Sequence, residues 1–216
     1  MLLLSHRGYH EAVPENTLEA FERALALGID GIETDIRLSA DEKLILFHDR
    51  LAPDGRAIAA LPHAELSAQM DYRVPTLEEA LESWGDILWN LEIKTPQAVP
   101  GTMAVLKHYQ HTRRILVTSF WHPVIEEMSS QLAVDYGLLL AHCPAAPLLP
   151  QGWLEAHPRM RTVVWDYEFF DPSRALQATG SGIRNFVYGA KSLPEHQKVM
   201  EWKMDGIITD HPEFIR

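Results

Sequence analysis

The chain has 216 residues, 46% of them hydrophobic and 23% charged, with a formal net charge of −11 and one cysteine, Cys143. This composition can fill a core, and it excludes a disordered chain, an internal disulfide framework and a binder of nucleic-acid phosphates, which needs basic runs. No apolar run reaches the roughly 18 residues that cross a bilayer, since the richest (137–153) is broken by His142, Pro144, Pro147 and Pro150, and Met1–Leu4 is too short for a signal-peptide core, so the expectation is an intracellular, cytoplasmic protein with no transmembrane segment.

Short apolar runs alternate with amphipathic stretches throughout. Leu2–Ser5 reads as a first strand. Asn16-Thr17-Leu18-Glu19 resembles a capping box with Asn16 as the cap, opening a helix on Leu18, Phe21 and Leu25 that Gly28 stops. Gly31–Leu38 is a second strand. Lys43–His48 follows it too closely for a helical crossover and is expected to fold back as the arm of a hairpin. A turn centred on Ala40–Asp41 places His48 opposite Glu33 and Leu46 opposite Asp35. Thr76–Glu79 is a second capping box, opening a helix to about Gly85. Strands are then expected at Ile87–Ile93, Arg114–Thr118, Ala133–Leu140, Arg161–Asp166, Arg184–Tyr188 and Gly206–Thr209. Helices fill the gaps at Ala98–Gln110, Pro123–Gln131, near Trp153, Pro172–Thr179 and Pro194–Met204. Such alternation implies parallel strands with right-handed crossovers. Eight units close an α/β fold of the (β/α)8 TIM-barrel type, with an open doubly wound sheet as the competing architecture. No linker or repeat divides the chain, so residues 1–216 are expected to form one domain.

Glu33 and Asp35, at i and i+2 in an apolar strand, point to one face. Two carboxylates held close repel each other, and burying them is expensive unless a cation or a proton intervenes; a solvated strand end is the other reading. Glu92 and Lys94 share a face in the same way, as a third carboxylate and a point charge for a phosphate, or as a surface ion pair. Ser5-His6-Arg7-Gly8 follows the first strand directly, where barrels place their reactive groups. Arg7 offers a planar fork for phosphate oxygens, and His6 can move a proton near neutral pH. In His48-Asp49 the acid can orient the ring or simply begin a loop. The other nine histidines show no short zinc-site spacing, and nothing near Cys143 activates it.

The order His6-Arg7-Gly8, Pro14-Glu15-Asn16-Thr17, Glu33-x-Asp35, His48-Asp49, Pro75–Glu79, Glu92-Ile93-Lys94, Ser119-Phe120 and Gly206–Asp210 resembles the signature of the glycerophosphodiester phosphodiesterase family. The resemblance spans nearly the whole chain. It implies a (β/α)8 barrel with a small insertion after the second strand, at about residues 49–72. It also implies that Glu33, Asp35 and Glu92 bind one divalent cation, Mg²⁺ or Ca²⁺, that Arg7 and Lys94 grip the phosphodiester, and that His6 and His48 form the acid–base pair. The implied reaction converts a small-molecule glycerophosphodiester into glycerol 3-phosphate and an alcohol. A lysophospholipase D acting on monoacyl substrates and a non-catalytic barrel that binds a phosphorylated ligand are the alternatives. Where the family often carries Trp-Thr-Val-Asn, this chain has Phe186-Val187-Tyr188-Gly189-Ala190-Lys191, which leaves room in the pocket for Trp121 to fill.

Overall fold

The structure is a computed structural model that describes residues 1–144 and 151–215; Pro147 and Pro150 lie outside them. Its strands are β1 (Leu2–His6), β2 (Gly31–Leu38), β3 (Leu44–Leu46), β4 (Leu88–Ile93), β5 (Arg114–Ser119), β6 (Asp135–Leu140), β7 (Met160–Asp166), β8 (Arg184–Tyr188) and β9 (Gly206–Thr209). The helices between them are α1 (Leu18–Ala26), α2 (His63–Met70), α3 (Leu77–Ser83), α4 (Val99–Tyr109), α5 (His122–Ser129), α6 (Gln151–Ala156), α7 (Pro172–Gly180) and α8 (Leu193–Glu201). All strands but β3 run parallel, and β1 pairs with both β2 and β9, so the sheet closes on itself. The fold is therefore a (β/α)8 barrel, and the open sheet is excluded.

The strands are continuous apolar runs because they are buried on both faces, β4 over its whole length. The larger core lies between strands and helices and includes Phe21, Ile32, Trp89, Val117, Tyr136 and Val187. A smaller core of Leu4, Leu88, Leu116, Leu139, Val164, Phe186 and Ile208 takes one side chain from each of seven barrel strands. Strand β2 contributes none at that level, because Gly31 sits between Leu4 and Leu88. A Cβ there would stand 2.1 Å from the Leu88 carbonyl oxygen, so only glycine fits.

Two expectations are corrected. The β2–β3 hairpin pairs Ile36 with Leu46 and Leu38 with Leu44, so Leu46 does not face Asp35 and His48 does not face Glu33. The loop holds three residues rather than two: Ser39 N donates to Lys43 O, and Glu42 takes a left-handed φ of 59°. An added loop residue shifts every opposed pair by one. The second correction concerns α1, whose cap is Thr17, accepting from Ala20 N at 3.2 Å, while Asn16 adopts a φ of 56° and turns into the barrel. The box at Thr76–Glu79 forms with both of its hydrogen bonds.

Between β3 and α3 the chain builds a satellite cluster in which Ala52, Ile58, Leu61, Leu66 and Val74 pack on Ile45 and Phe47. Among the described residues no helix is long and apolar enough to cross a membrane.

Candidate active site

Parallel pairing aligns the inward side chains at the C-terminal end of the barrel. His6 lies beside Glu33, and Asp35 beside Glu92. Glu33, Asp35 and Glu92 are 3%, 0% and 7% exposed, and each offers a carboxylate oxygen within 4.8 Å of the others. Two cations reach into the group. Lys94 Nζ lies 2.8 Å from Glu92 Oε1 and 3.1 Å from Asp35 Oδ1, and Arg7 Nε lies 3.0 Å from Asp35 Oδ2. Arg7 Nη1 also donates to both oxygens of Glu15, at 3.1 and 3.2 Å.

These positions set the electrostatics. Burial pushes the Glu33 carboxyl well above the usual range, and the charges of Asp35 and Glu92 add to the rise. Burial and Asp35 likewise raise Glu92. Asp35 is held below its ordinary value: burial acts upward, but Lys94, Arg7 and a hydrogen bond from Asn16 outweigh it. Burial would lower Lys94 and Arg7, yet the surrounding carboxylates keep both raised and therefore cationic. Of the three acids, Glu33 is the one that makes no ion pair with a lysine or arginine among the described residues. Its Oε2 is buried without a hydrogen bond, as are Asp35 Oδ1 and Arg7 Nε, which make ion pairs but no well-aligned hydrogen bond. An all-oxygen donor set with an excess of anionic charge and unsatisfied buried oxygens fits a hard divalent cation.

The mouth above these acids is a cavity of about 230 Å³ lined by His6, Arg7, Glu33, His48, Glu92 and Lys94, with an apolar side made of Phe120, Leu139, Tyr188 and Ile208. Six of the seven residues singled out in the sequence thus line one space, and Asp35 lies fully buried beside them. His48 arrives by a different route from the one expected. The chain leaves the ladder after Phe47 N donates to Asp35 O, and Arg37 Nε donates to His48 O at 2.8 Å, which pins the residue at the mouth.

The sequence profile of the glycerophosphoryl diester phosphodiesterase family matches residues 6–214. The chain belongs to that family. As a member it is a phosphoric diester hydrolase. A glycerophosphodiester phosphodiesterase of Caldanaerobacter subterraneus subsp. tengcongensis is 29% identical, with 99% of this chain and 96% of the relative aligned. The crystal structure of a glycerophosphodiester phosphodiesterase from Thermotoga maritima superposes with a TM-score of 0.83 at 27% identity, covering 99% of this chain and 96% of that one. An Oleispira antarctica phosphodiesterase, solved in complex with the product sn-glycerol-3-phosphate, gives a TM-score of 0.84 at 25% identity, covering 100% and 95%.

Within this family member, several site residues carried no local signal of chemistry. Asn16 is 2% exposed; its Nδ2 donates to Asp35 Oδ2 at 2.9 Å, and its Oδ1 accepts from Thr34 Oγ1 at 2.6 Å. Its motif looks like a helix cap, which hid this role. Asp210 comes from the far end of the chain to meet both His6 and His10. At the departure from Trp-Thr-Val-Asn, the neighbour of Tyr188 is Phe120, edge-on at 6.2 Å, whereas Trp121 is 52% exposed at the start of α5 and is absent from the lining of the cavity above the acids.

Proposed function

We propose that this enzyme hydrolyses glycerophosphodiesters to glycerol 3-phosphate and an alcohol, with one divalent cation, Mg²⁺ or Ca²⁺, held by Glu33, Asp35 and Glu92. The observation that carries this reading is the convergence of three buried acids, two cations and two histidines on one cavity. The product bound by the Oleispira antarctica relative supports the substrate class. The single domain is read as residues 1–216, with the segment at about 49–72 as its insertion.

A divalent cation at this site supplies charge neutralisation on the phosphoryl oxygens. The protein's own groups do the rest. Arg7 and Lys94, kept cationic by their acidic neighbours, bind non-bridging phosphate oxygens and hold the diester for in-line attack. His6 and His48 serve as the acid–base pair. One takes the proton of the attacking hydroxyl, from water or from the adjacent glycerol carbon, and the other protonates the leaving alkoxide. Each ring has its Nδ1–H on a carboxylate, His6 on Asp210 at 2.7 Å and His48 on Asp49 at 2.9 Å, so Nε2 is the nitrogen available for transfer.

The test is release of glycerol 3-phosphate from a panel of glycerophosphodiesters and one monoacyl analogue, with and without chelator. Turnover of the deacylated diesters that stops in chelator and returns with Mg²⁺ or Ca²⁺ is expected; undiminished turnover in chelator overturns the metal reading. His48→Ala is expected to lower kcat by roughly 100- to 10,000-fold with little change in KM, and a variant whose main defect is a raised KM removes His48 from proton transfer.

A further inference from the structure

His6 stands where two cavities meet. The second cavity, of about 460 Å³, shares His6, Tyr188 and Ile208 with the catalytic one and continues past Asp166, Gly189 and Asp210. A ring with open space on two sides cannot be aimed by packing alone, and something polar has to fix it. His6 Nδ1–H donates to Asp210 Oδ1 at 2.7 Å, and the Nε2–H of His10 donates to the same oxygen at 3.2 Å. The carboxylate can only accept, so this contact places the proton of a neutral His6 on Nδ1. Nε2 then faces the acids, 3.8 Å from Glu33 Oε2.

We propose that Asp210 is a positioning residue, whose carboxylate selects the Nδ1–H tautomer of His6 and keeps Nε2 directed at the substrate phosphate, with His10 bracing the carboxylate from the other side.

The backbone that carries Asp210 is built for this. Ser5 pairs with Thr209 across β1 and β9, so His6 and Asp210 each lie one residue beyond that pair. His196 Nδ1–H donates to Ser192 O, the Thr209 hydroxyl donates to His196 Nε2 at 2.6 Å, and Thr209 Oγ1 accepts from His211 N. This chain of bonds from α8 fixes the backbone on both sides of Asp210. The carboxylate also stays anionic. Burial acts upward on it, but the hydrogen bonds from His10 and His6 hold it well below the usual range. Among the described residues the charges in reach include Arg7 and Glu15 on the His10 side and Glu33 and Glu92 on the His6 side.

The inference rests on the acid–base role proposed for His6, and the experiment separates the two. Asp210→Asn keeps the shape and removes the charge that selects the tautomer. It is expected to lower kcat by about a hundredfold or more while KM moves by less than about threefold, and Asp210→Glu should recover part of the loss. Independently of turnover, nitrogen NMR of the histidine-labelled, metal-loaded protein at alkaline pH should show His6 protonated on Nδ1, assigned by its absence in His6→Ala, and Asp210→Ala should lose that preference. A His6 ring found in the Nε2–H form in the unaltered protein overturns the proposal. So does an Asp210→Asn variant within about threefold of full kcat while His6→Ala is inactive. An active His6→Ala variant instead overturns the acid–base role of His6, and the NMR result alone then decides whether Asp210 orients the ring.

Discussion

Between β7, β8 and α7, Asn185 is 2% exposed, and its side-chain amide is fully engaged. Trp165 Nε1 donates to its Oδ1 at 2.8 Å, and its Nδ2 donates to Ala175 O at 3.1 Å and to Thr179 Oγ1 at 2.9 Å. The group made by Glu33, Asp35 and Glu92 is as deeply buried, yet Glu33 Oε2, Asp35 Oδ1 and the adjoining Arg7 Nε make no hydrogen bond. The first cluster is neutral and closed, and ties a helix to the sheet. The second is charged and open: of its unsatisfied atoms, Glu33 Oε2 and Arg7 Nε belong to residues that line the cavity, and Asp35 Oδ1 lies buried beside them. Burial alone does not separate a structural polar group from a functional one; the state of its hydrogen bonds does.

The sharpest way to break this comparison is Glu33→Gln, because its effects on activity and stability should have opposite signs. Loss of the charge is expected to reduce turnover by about a thousandfold or more. The same change relieves an unpaired buried anion, so the metal-free protein should gain about 1–3 kcal/mol, seen as a higher Tm in chelator. The pH dependence fixes the sign. Burial raises the folded carboxyl of Glu33, so in the metal-free protein it costs nothing at low pH and destabilises increasingly as the pH rises above about 4.5, up to its raised folded value. The gap between the two proteins should therefore widen over that window and close below it. A metal-free Glu33→Gln protein that is less stable than the parent would place Glu33 with the structural cluster.

Asn16→Ala gives a smaller effect. Asp35 keeps its ion pairs with Arg7 and Lys94 but loses the amide that orients it, and metal affinity measured by titration calorimetry should fall about 10- to 100-fold. An unchanged affinity would mean that the two cations alone hold the carboxylate. Asn185→Leu should move activity least. It strands the buried indole N–H of Trp165, lowering stability by about 1–3 kcal/mol, while turnover well below the Tm stays within about twofold of the parent. A large loss of kcat at full folding would show that the closed cluster also shapes the site.

Much of the fold and of the site is legible in the sequence. The strand bounds at Gly31–Leu38, Arg184–Tyr188 and Gly206–Thr209 agree with the structure, because each is a short apolar run between strong punctuation. The shared inward face of Glu33 and Asp35, and that of Glu92 and Lys94, followed from period-two alternation alone. The hairpin register did not, because a left-handed Glu42 adds a loop residue that no local pattern announces. Asn16 reads as a cap in the sequence because a cap and a buried amide partner of Asp35 call for the same residue type beside the same Thr17. The meeting of Asp210 with His6 and His10 is illegible for another reason: it is a property of closure between β1 and β9, which spacing along the chain does not encode.

That closure has a consequence for when the molecule becomes competent. The ribosome delivers Leu2–His6 early, but this segment cannot complete its ladder until Gly206–Thr209 has emerged to lie against it. Contacts of such sequence separation form late and slowly. A growing chain that already carries His6, Glu33, Asp35, His48, Glu92 and Lys94 still has no sealed ring to hold them together until Gly206–Thr209 has been made.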